Sequence, residues 1–125
     1  MIALALCLVV SVYDGDGPIH CASGERLRLL GVQAADYETA EPCRRRRPGF
    51  VCSNRLADRA RDNLRRLAPI GATISYEAIK RDRYGRIIAN AWAGTVNLSC
   101  AQVRGGFAAY RADYDTGGRL RRICR

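Results

Sequence analysis

The stretch Ala72–Ala93 reads ATISYEAIKRDRYGRIIANAWA, and it decides the fold. β-Branched, aromatic and other apolar residues occupy both of its ends, and the turn-forming sequence Asp82-Arg83-Tyr84-Gly85 lies between them. We therefore predict two strands, Ala72–Lys80 and Arg86–Ala93, joined as a hairpin. Arg86 then projects from the start of the second strand.

Three further strands are predicted in the first quarter of the chain. Residues 3–13 are rich in Val and Leu and stop at the turn signal Asp14–Pro18, and residues 19–22 form a short second strand. Residues 25–33 alternate polar and apolar side chains, which places arginines on one face. The apolar run 1–10 is shorter than the roughly 20 residues that span a bilayer. It also lacks the basic segment and cleavage site of a signal peptide, so we interpret it as a buried strand of a soluble protein.

Two helices complete the prediction. Residues 36–52 form a polar loop, and Ser53 is placed to cap a helix that buries a stripe of Leu56, Ala60, Leu64 and Leu67. A second helix covers residues 98–104 and ends at Gly105-Gly106, whereas the tail from Asp113 shows no clear pattern. The order β-β-β-α-β-β-α predicts a five-stranded OB-fold β-barrel with helices packed on it, α+β overall, in a single domain 1–125. A generic α+β domain fits the pattern about as well.

The charge of the chain indicates an anionic partner. Twenty-one Lys and Arg residues stand against 12 Asp and Glu, a net charge of +9, and Lys80 is the sole lysine. Guanidinium groups bind phosphate in a bidentate manner, so a polyanion is the first expectation, although arginine-rich usage alone does not name a partner. With His20 as the single histidine, the sequence excludes a His-based metal cluster; it also lacks a P-loop, a dinucleotide fingerprint and a nucleophile elbow.

Six cysteines in a short chain favour an oxidising compartment, so we expect a periplasmic or secreted protein with one to three disulfides. Cys43 and Cys52 bracket the basic loop 44–51, and a bridge between them would hold that loop. The other four cysteines allow three pairings, among which the sequence does not choose.

Three short motifs carry chemistry-bearing side chains. Asp14-Gly15-Asp16 places two carboxylates at a strand end, Arg26–Asp36 carries arginines down a strand to a carboxylate, and Asp82–Arg86 presents an arginine from a hairpin. Each has an ordinary structural explanation as a turn or a solvated charged face. The order and spacing of the three motifs, taken together, are far more specific than any one of the motifs alone.

Together they resemble the staphylococcal nuclease (thermonuclease) family. The resemblance rests on Val12–Asp16, Leu27–Val32 and Asp82–Arg86, with Val103–Ala108 similar to the family's closing helix and turn, and it extends over about residues 8–110. It implies an OB-fold barrel and a calcium-dependent nuclease that hydrolyses phosphodiester bonds of DNA and RNA and leaves 3′-phosphate ends. We expect single-stranded substrates to be preferred, no membrane span, and a monomer.

The resemblance also implies site residues. Arg28 and Arg86 match the catalytic arginines that would stabilise the transition state, and Asp36 matches the general base. The calcium ligands would be Asp16, Gln33 and the backbone carbonyl of Ala34, with Asp14 supporting them. Tyr84 matches a tyrosine that lies beside a substrate phosphate. Independently of the resemblance, Arg83 next to it and the aromatic residues Tyr110 and Tyr114 near the end of the chain are further candidates for contact with substrate.

Three positions depart from the family's pattern. Gln33 replaces an aspartate, Asp36 replaces a glutamate, and Gly17 stands where a threonine is usual. All three lie in or beside the metal-binding and base half of the site, while both arginines are retained. The alternative is therefore a catalytically impaired or inactive OB-fold domain that binds nucleic acid.

Overall fold

A computed structural model describes residues 3–124, so Met1, Ile2 and Arg125 lie outside the described residues, and with them the first two residues of the apolar run 1–10. The elements in chain order are β1 (Ala5–Val12), β2 (Ile19–Cys21), β3 (Arg26–Leu29), β4 (Val32–Ala34), α1 (Glu41–Arg44), α2 (Asn54–Leu67), β5 (Thr73–Arg81), β6 (Ile87–Ala93), β7 (Val96–Asn97), α3 (Leu98–Arg104), β8 (Ala108–Tyr110) and α4 (Arg119–Ile123).

Five strands close into a barrel. They pair in the order β3-β2-β1-β5-β6, and a parallel pairing of β3 with β6 joins the two edges. The remaining pairs are antiparallel, and β4 and β8 form a separate two-stranded sheet beside the barrel. This closed five-stranded barrel with added helices confirms the OB-fold prediction.

The hairpin predicted from Ala72–Ala93 is present as β5 and β6. Arg81 pairs with Ile87, and the amide of Asp82 donates to the carbonyl of Arg86 at 2.9 Å, which closes the turn. The first predicted strand, Ala72–Lys80, lies one residue before the observed Thr73–Arg81, and the second was one residue too long at Arg86. Arg86 therefore lies at the end of the turn, next to the first residue of β6.

The prediction that the first strand is buried was wrong for one of its faces. Cys7, Val9 and Val12 point into the core, whereas Leu6 is 70% exposed, and Leu4, Leu8 and Val10 also face outward. Successive side chains of a strand point to opposite sides, so a strand in the barrel wall buries only one set.

The predicted third strand, residues 25–33, is broken into two. Gly31 has φ +74°, a backbone conformation that L-residues with side chains rarely adopt, and the chain turns there. After this turn β4 leaves the barrel and pairs with β8, with Gln33 opposite Ala109. The break decides where the polar side chains of residues 33–36 lie relative to Arg28.

Helix α2 begins as predicted, because the hydroxyl of Ser53 accepts from the amide of Leu56 at 3.2 Å. Its buried face consists of Ala57, Ala60 and Leu64, so the predicted burial of Leu56 was wrong. Leu56 lies in the first turn and is exposed, since the barrel contacts the helix through the neighbouring small residues.

Both segments predicted to lack structure contain some. In the loop 36–52, Glu41–Arg44 forms the short helix α1, and Asp36 forms a β-bridge with Cys52. In the tail, the buried carboxylate of Asp115 accepts from the amides of Leu120 and Arg121 at 2.8 and 3.0 Å, which starts α4. Leu120 is then fully buried in the core.

Three disulfides join Cys7 to Cys21, Cys43 to Cys52 and Cys100 to Cys124. Paired cysteines are typical of an extracellular or otherwise oxidising compartment. Within residues 3–124, the helices are all too short or too polar to cross a membrane.

Candidate active site

A groove of about 650 Å³ opens on the barrel beside β3, the end of β1 and the β5–β6 turn. It collects most of the side chains singled out from the sequence. Those lining it are Asp14, Asp16, Arg28, Gln33, Asp36, Arg83, Tyr84, Arg86 and Tyr114.

Arg28 is held in one orientation by the backbone around it. Its Nη1 donates to the carbonyls of Leu29 and Val32 at 2.7 and 2.9 Å. Both carbonyls flank the break between β3 and β4, so the break itself creates the socket for the guanidinium. Nη2 then faces Gln33 Oε1 at 3.0 Å and Asp16 Oδ2 at 3.5 Å. Arg28 is therefore a fixed, largely buried positive charge at the floor of the groove.

Arg86 is positioned by the hairpin turn. Its Nε donates to Asp82 Oδ2 at 2.7 Å, while Asp82 Oδ1 accepts from the amides of Tyr84 and Arg86. Within residues 3–124 the structure gives the Nη1 and Nη2 groups of Arg86 no hydrogen-bond partner. The outer fork of this guanidinium thus remains available to an anion in the groove.

Three carboxylates face the arginines. Asp16 Oδ2 accepts from the amide of Ala34 at 3.0 Å, which ties the turn after β1 to β4. Burial and the nearby charge of Asp16 raise the pKa of Asp14 to about 7. The same two causes raise the pKa of Asp36 to about 6. Asp14 and Asp36 therefore keep their protons to a higher pH than an exposed aspartate does, first because they are partly buried and second because the charge of Asp16 is near.

The amide of Gln33 lies in the middle of these groups. Its Nε2 donates to the carbonyl of Ala34 at 3.1 Å and to Asp36 Oδ2 at 3.0 Å, while its Oε1 accepts from Arg28. Gln33 thereby connects the predicted base to one of the predicted arginines.

The calcium ion implied by the resemblance does not fit this arrangement. Ca²⁺ takes about six to eight oxygen ligands. Among the described residues, no three Asp, Glu, His or Cys side chains form a group that could hold a metal ion. Two of the remaining oxygens, the carbonyl of Ala34 and Oδ2 of Asp36, accept from the Gln33 amide nitrogen. An N–H donor and a cation cannot occupy the same position.

Gly17 lines the groove where the family usually carries threonine. Its φ is +109°, and a Cβ on this backbone would lie 2.6 Å from the carbonyl oxygen of Leu27. A threonine therefore does not fit this turn.

Aromatic rings form the rim of the groove. The guanidinium carbons of Arg83 and Arg86 lie 4.9 and 5.4 Å from the centre of the exposed Tyr84 ring. Tyr114 lies 5.2 Å from the guanidinium carbon of Arg28. Tyr110, in contrast, is not among the residues that line the groove. Its hydroxyl donates to Asp115 Oδ2 at 2.7 Å, so it holds the C-terminal turn.

Three residues of the groove were assigned no site role from the sequence. Asp82 was treated as a turn residue, although its spacing four residues before Arg86 is the signal that it positions that arginine. Arg47 and Phe50, on the loop closed by the Cys43–Cys52 disulfide, also line the groove. A charged loop of this kind carries no sequence signal that tells which way it folds.

A closed five-stranded barrel with added helices, and a groove on its side that gathers arginines and carboxylates, define the chain as an OB-fold protein. Residues 26–122 match the family model described as staphylococcal nuclease homologue, and the chain belongs to that family. The match confirms the resemblance seen in the motifs; it includes Arg28, Asp36 and Arg86 and begins after the Asp14–Asp16 turn. Among curated proteins, none matches the chain significantly.

Proposed function

We propose that this protein is a secreted or periplasmic nuclease that hydrolyses phosphodiester bonds of DNA and RNA, single strands in preference, and leaves 3′-phosphate ends. One observation carries the proposal: Arg28, Arg86 and Asp36 line the same groove. Membership of the nuclease family supports the same assignment. The three disulfides and the net charge of +9 suit an extracellular protein with a polyanionic substrate.

The two arginines would stabilise the transition state. Hydrolysis of a phosphodiester gathers negative charge on the equatorial phosphate oxygens, and preorganised donors are worth most where that charge develops. Arg28 is preorganised by the carbonyls of Leu29 and Val32, and Arg86 by Asp82. Neither side chain needs to find its orientation during the reaction.

Asp36 would act as the general base. A base is most effective when its pKa lies near the working pH, and the pKa of Asp36 is raised to about 6 by burial and by Asp16. Its carboxylate is held by Gln33 at 3.0 Å, which leaves the other oxygen to take a proton from water.

The exposed ring of Tyr84 and the ring of Tyr114 would contact the bases or sugars on either side of the bound phosphate. Arg83 donates to the hydroxyl of Tyr84 at 2.8 Å, which fixes that ring at the rim. Stacking on such rings tolerates any base, so both DNA and RNA are accommodated.

Calcium dependence is the part of the family prediction that the donor set of this chain does not support. If a cation were present, Asp14, Asp16 and the carbonyl of Ala34 would face it, and it would polarise a phosphate oxygen. The Gln33 amide nitrogen donates into that space, so the mechanism proposed here assigns no step to a metal.

The proposal is tested by incubating the purified protein with a single-stranded oligonucleotide. We expect cleavage by the wild-type protein and a loss of about 10²-fold or more in the Arg86→Ala variant. Near wild-type cleavage by that variant would refute the assignment.

A second candidate function is binding of nucleic acid without cleavage. The observation in its favour is that Asp36 already accepts a hydrogen bond from Gln33, which lowers its reactivity as a base. This candidate predicts salt-sensitive binding of single-stranded DNA with no product formed.

A further inference from the structure

The orientation of the Gln33 amide is fixed by its neighbours. On one side the guanidinium of Arg28 offers only N–H donors, and on the other side Ala34 and Asp36 offer only acceptor oxygens. A flipped amide would place its NH₂ against the guanidinium and its oxygen against the two acceptors. All three hydrogen bonds would then be replaced by repulsive contacts.

This orientation directs an N–H donor to the place between a carboxylate and a carbonyl where a cation would otherwise be needed. Two oxygens with partial or full negative charge lie side by side there, and each needs a positively polarised partner. The Gln33 NH₂ group has two hydrogens and meets both oxygens, at 3.0 and 3.1 Å.

The charge of the groove leads to the same conclusion. The groove is lined by a nearly equal number of acidic and basic side chains: Asp14, Asp16, Asp36, Glu41, Asp82 and Asp113 against Arg28, Arg47, Lys80, Arg83 and Arg86. Calcium affinity rises with the number of charged ligands, and an amide at position 33 adds none.

We propose that the Gln33 amide takes the structural place of a divalent cation, so that the groove binds a phosphodiester without metal. This inference rests on the proposed function for its ligand, a single-stranded nucleic acid. Its claim about the metal does not depend on catalysis, because metal binding is measured on the protein alone.

The first test titrates the protein with calcium in the absence of nucleic acid. Binding is measured by calorimetry and by the shift of the thermal unfolding midpoint. Gln33→Glu keeps the size of the side chain but exchanges the donor nitrogen for a charged oxygen, and Gln33→Asp shortens it. Asn54→Asp, at the start of α2 and outside the groove, adds the same charge as a control.

We expect no heat of binding and no shift of the midpoint for the wild type up to about 5 mM Ca²⁺, which is above the range of weak protein sites. At least one of the two Gln33 variants should gain calcium affinity by about tenfold or more, and Asn54→Asp should gain none. Submillimolar binding by the wild type would overturn the inference. Failure of both Gln33 variants to gain affinity would also overturn it, because another feature would then exclude the cation.

The second test measures binding of a single-stranded oligonucleotide at fixed ionic strength, in EDTA or in Ca²⁺. The wild type should bind with the same affinity within about twofold, since arginine–phosphate contacts supply the attraction. Binding that requires Ca²⁺ would overturn the inference. A wild type that neither binds nor cleaves the oligonucleotide would refute the proposed function instead, and the calcium titration would still decide the question of the metal.

Discussion

Asp14→Asn should raise the free energy of unfolding, because the ionised carboxylate of Asp14 is destabilised by its partial burial and by the neighbouring charge of Asp16. Its carboxylate is partly buried beside Asp16, and its pKa is raised from 3.8 to about 7. Oδ1 of Asp14 accepts from the amide of Gly15 at 2.8 Å, and the amide oxygen of asparagine can accept the same bond. The substitution therefore removes a charge while it keeps the local geometry.

The sign of the effect follows from proton binding. Between about pH 4 and pH 7 the folded chain holds a proton on Asp14 that the unfolded chain has released, so stability falls as the pH rises. The difference between 3.8 and about 7 corresponds to at most about 4 kcal/mol, and solvent screening at this partly exposed group reduces it to about 2 kcal/mol. Above pH 7 the whole penalty is present, and below pH 4 it is absent.

The assay is denaturant unfolding of both proteins from pH 4 to pH 8. At pH 8 the variant should be more stable by about 2 kcal/mol, with a midpoint higher by about 5–8 °C in thermal scans, and the two proteins should converge near pH 4. Glu77→Gln, which removes a charge from β5 outside the groove, serves as the control. A variant as stable as the wild type at pH 8, or less stable, would refute the reasoning.

Two further predictions concern cleavage and a third concerns binding. Arg86→Lys keeps the charge but loses the planar fork, so its cleavage rate should lie between those of the wild type and of Arg86→Ala. Equal rates for the two variants would argue against a bidentate contact between Arg86 and the phosphate. The pKa of Asp36 is raised to about 6, so kcat/KM should drop about tenfold per pH unit below pH 6. An Asp36→Glu variant should shift the pH at which this drop begins. A flat pH profile would exclude Asp36 as the base. Replacing Cys43 and Cys52 by serine should free the loop that brings Arg47 and Phe50 to the groove and weaken oligonucleotide binding, at a stability cost of at most about 3 kcal/mol. Unchanged affinity would show that this loop does not touch the ligand.

The barrel could be predicted because its signals are local. The strand pattern of Ala72–Ala93, the cap at Ser53 and the glycines after α3 each act within a few residues, and the structure confirms them. The break at Gly31 could not be read from alternation alone. A side chain at this position would also collide with Leu120, which comes from the far end of the chain, and no local pattern reveals that contact.

The site was predictable in its residue types and less so in its contacts. The motifs identified Arg28 and Arg86, but the carbonyl socket of Arg28 exists only because β4 leaves the barrel. Likewise, Gln33 stood out in the sequence as a replaced metal ligand. Its role as a donor to Asp36 became visible once three separate groups fixed the direction of its amide.

The central claim is that the groove hydrolyses phosphodiesters through Asp36 and the two arginines. The most direct measurement is cleavage of single-stranded DNA by the wild type, Asp36→Asn and Arg86→Ala, each shown to be folded, in parallel reactions with EDTA and with Ca²⁺. We expect cleavage by the wild type in both solutions, products with 3′-phosphate ends, and a loss of about 10²-fold or more in each variant. A folded wild type that cuts in neither solution, or variants that cut as fast as the wild type, would contradict it.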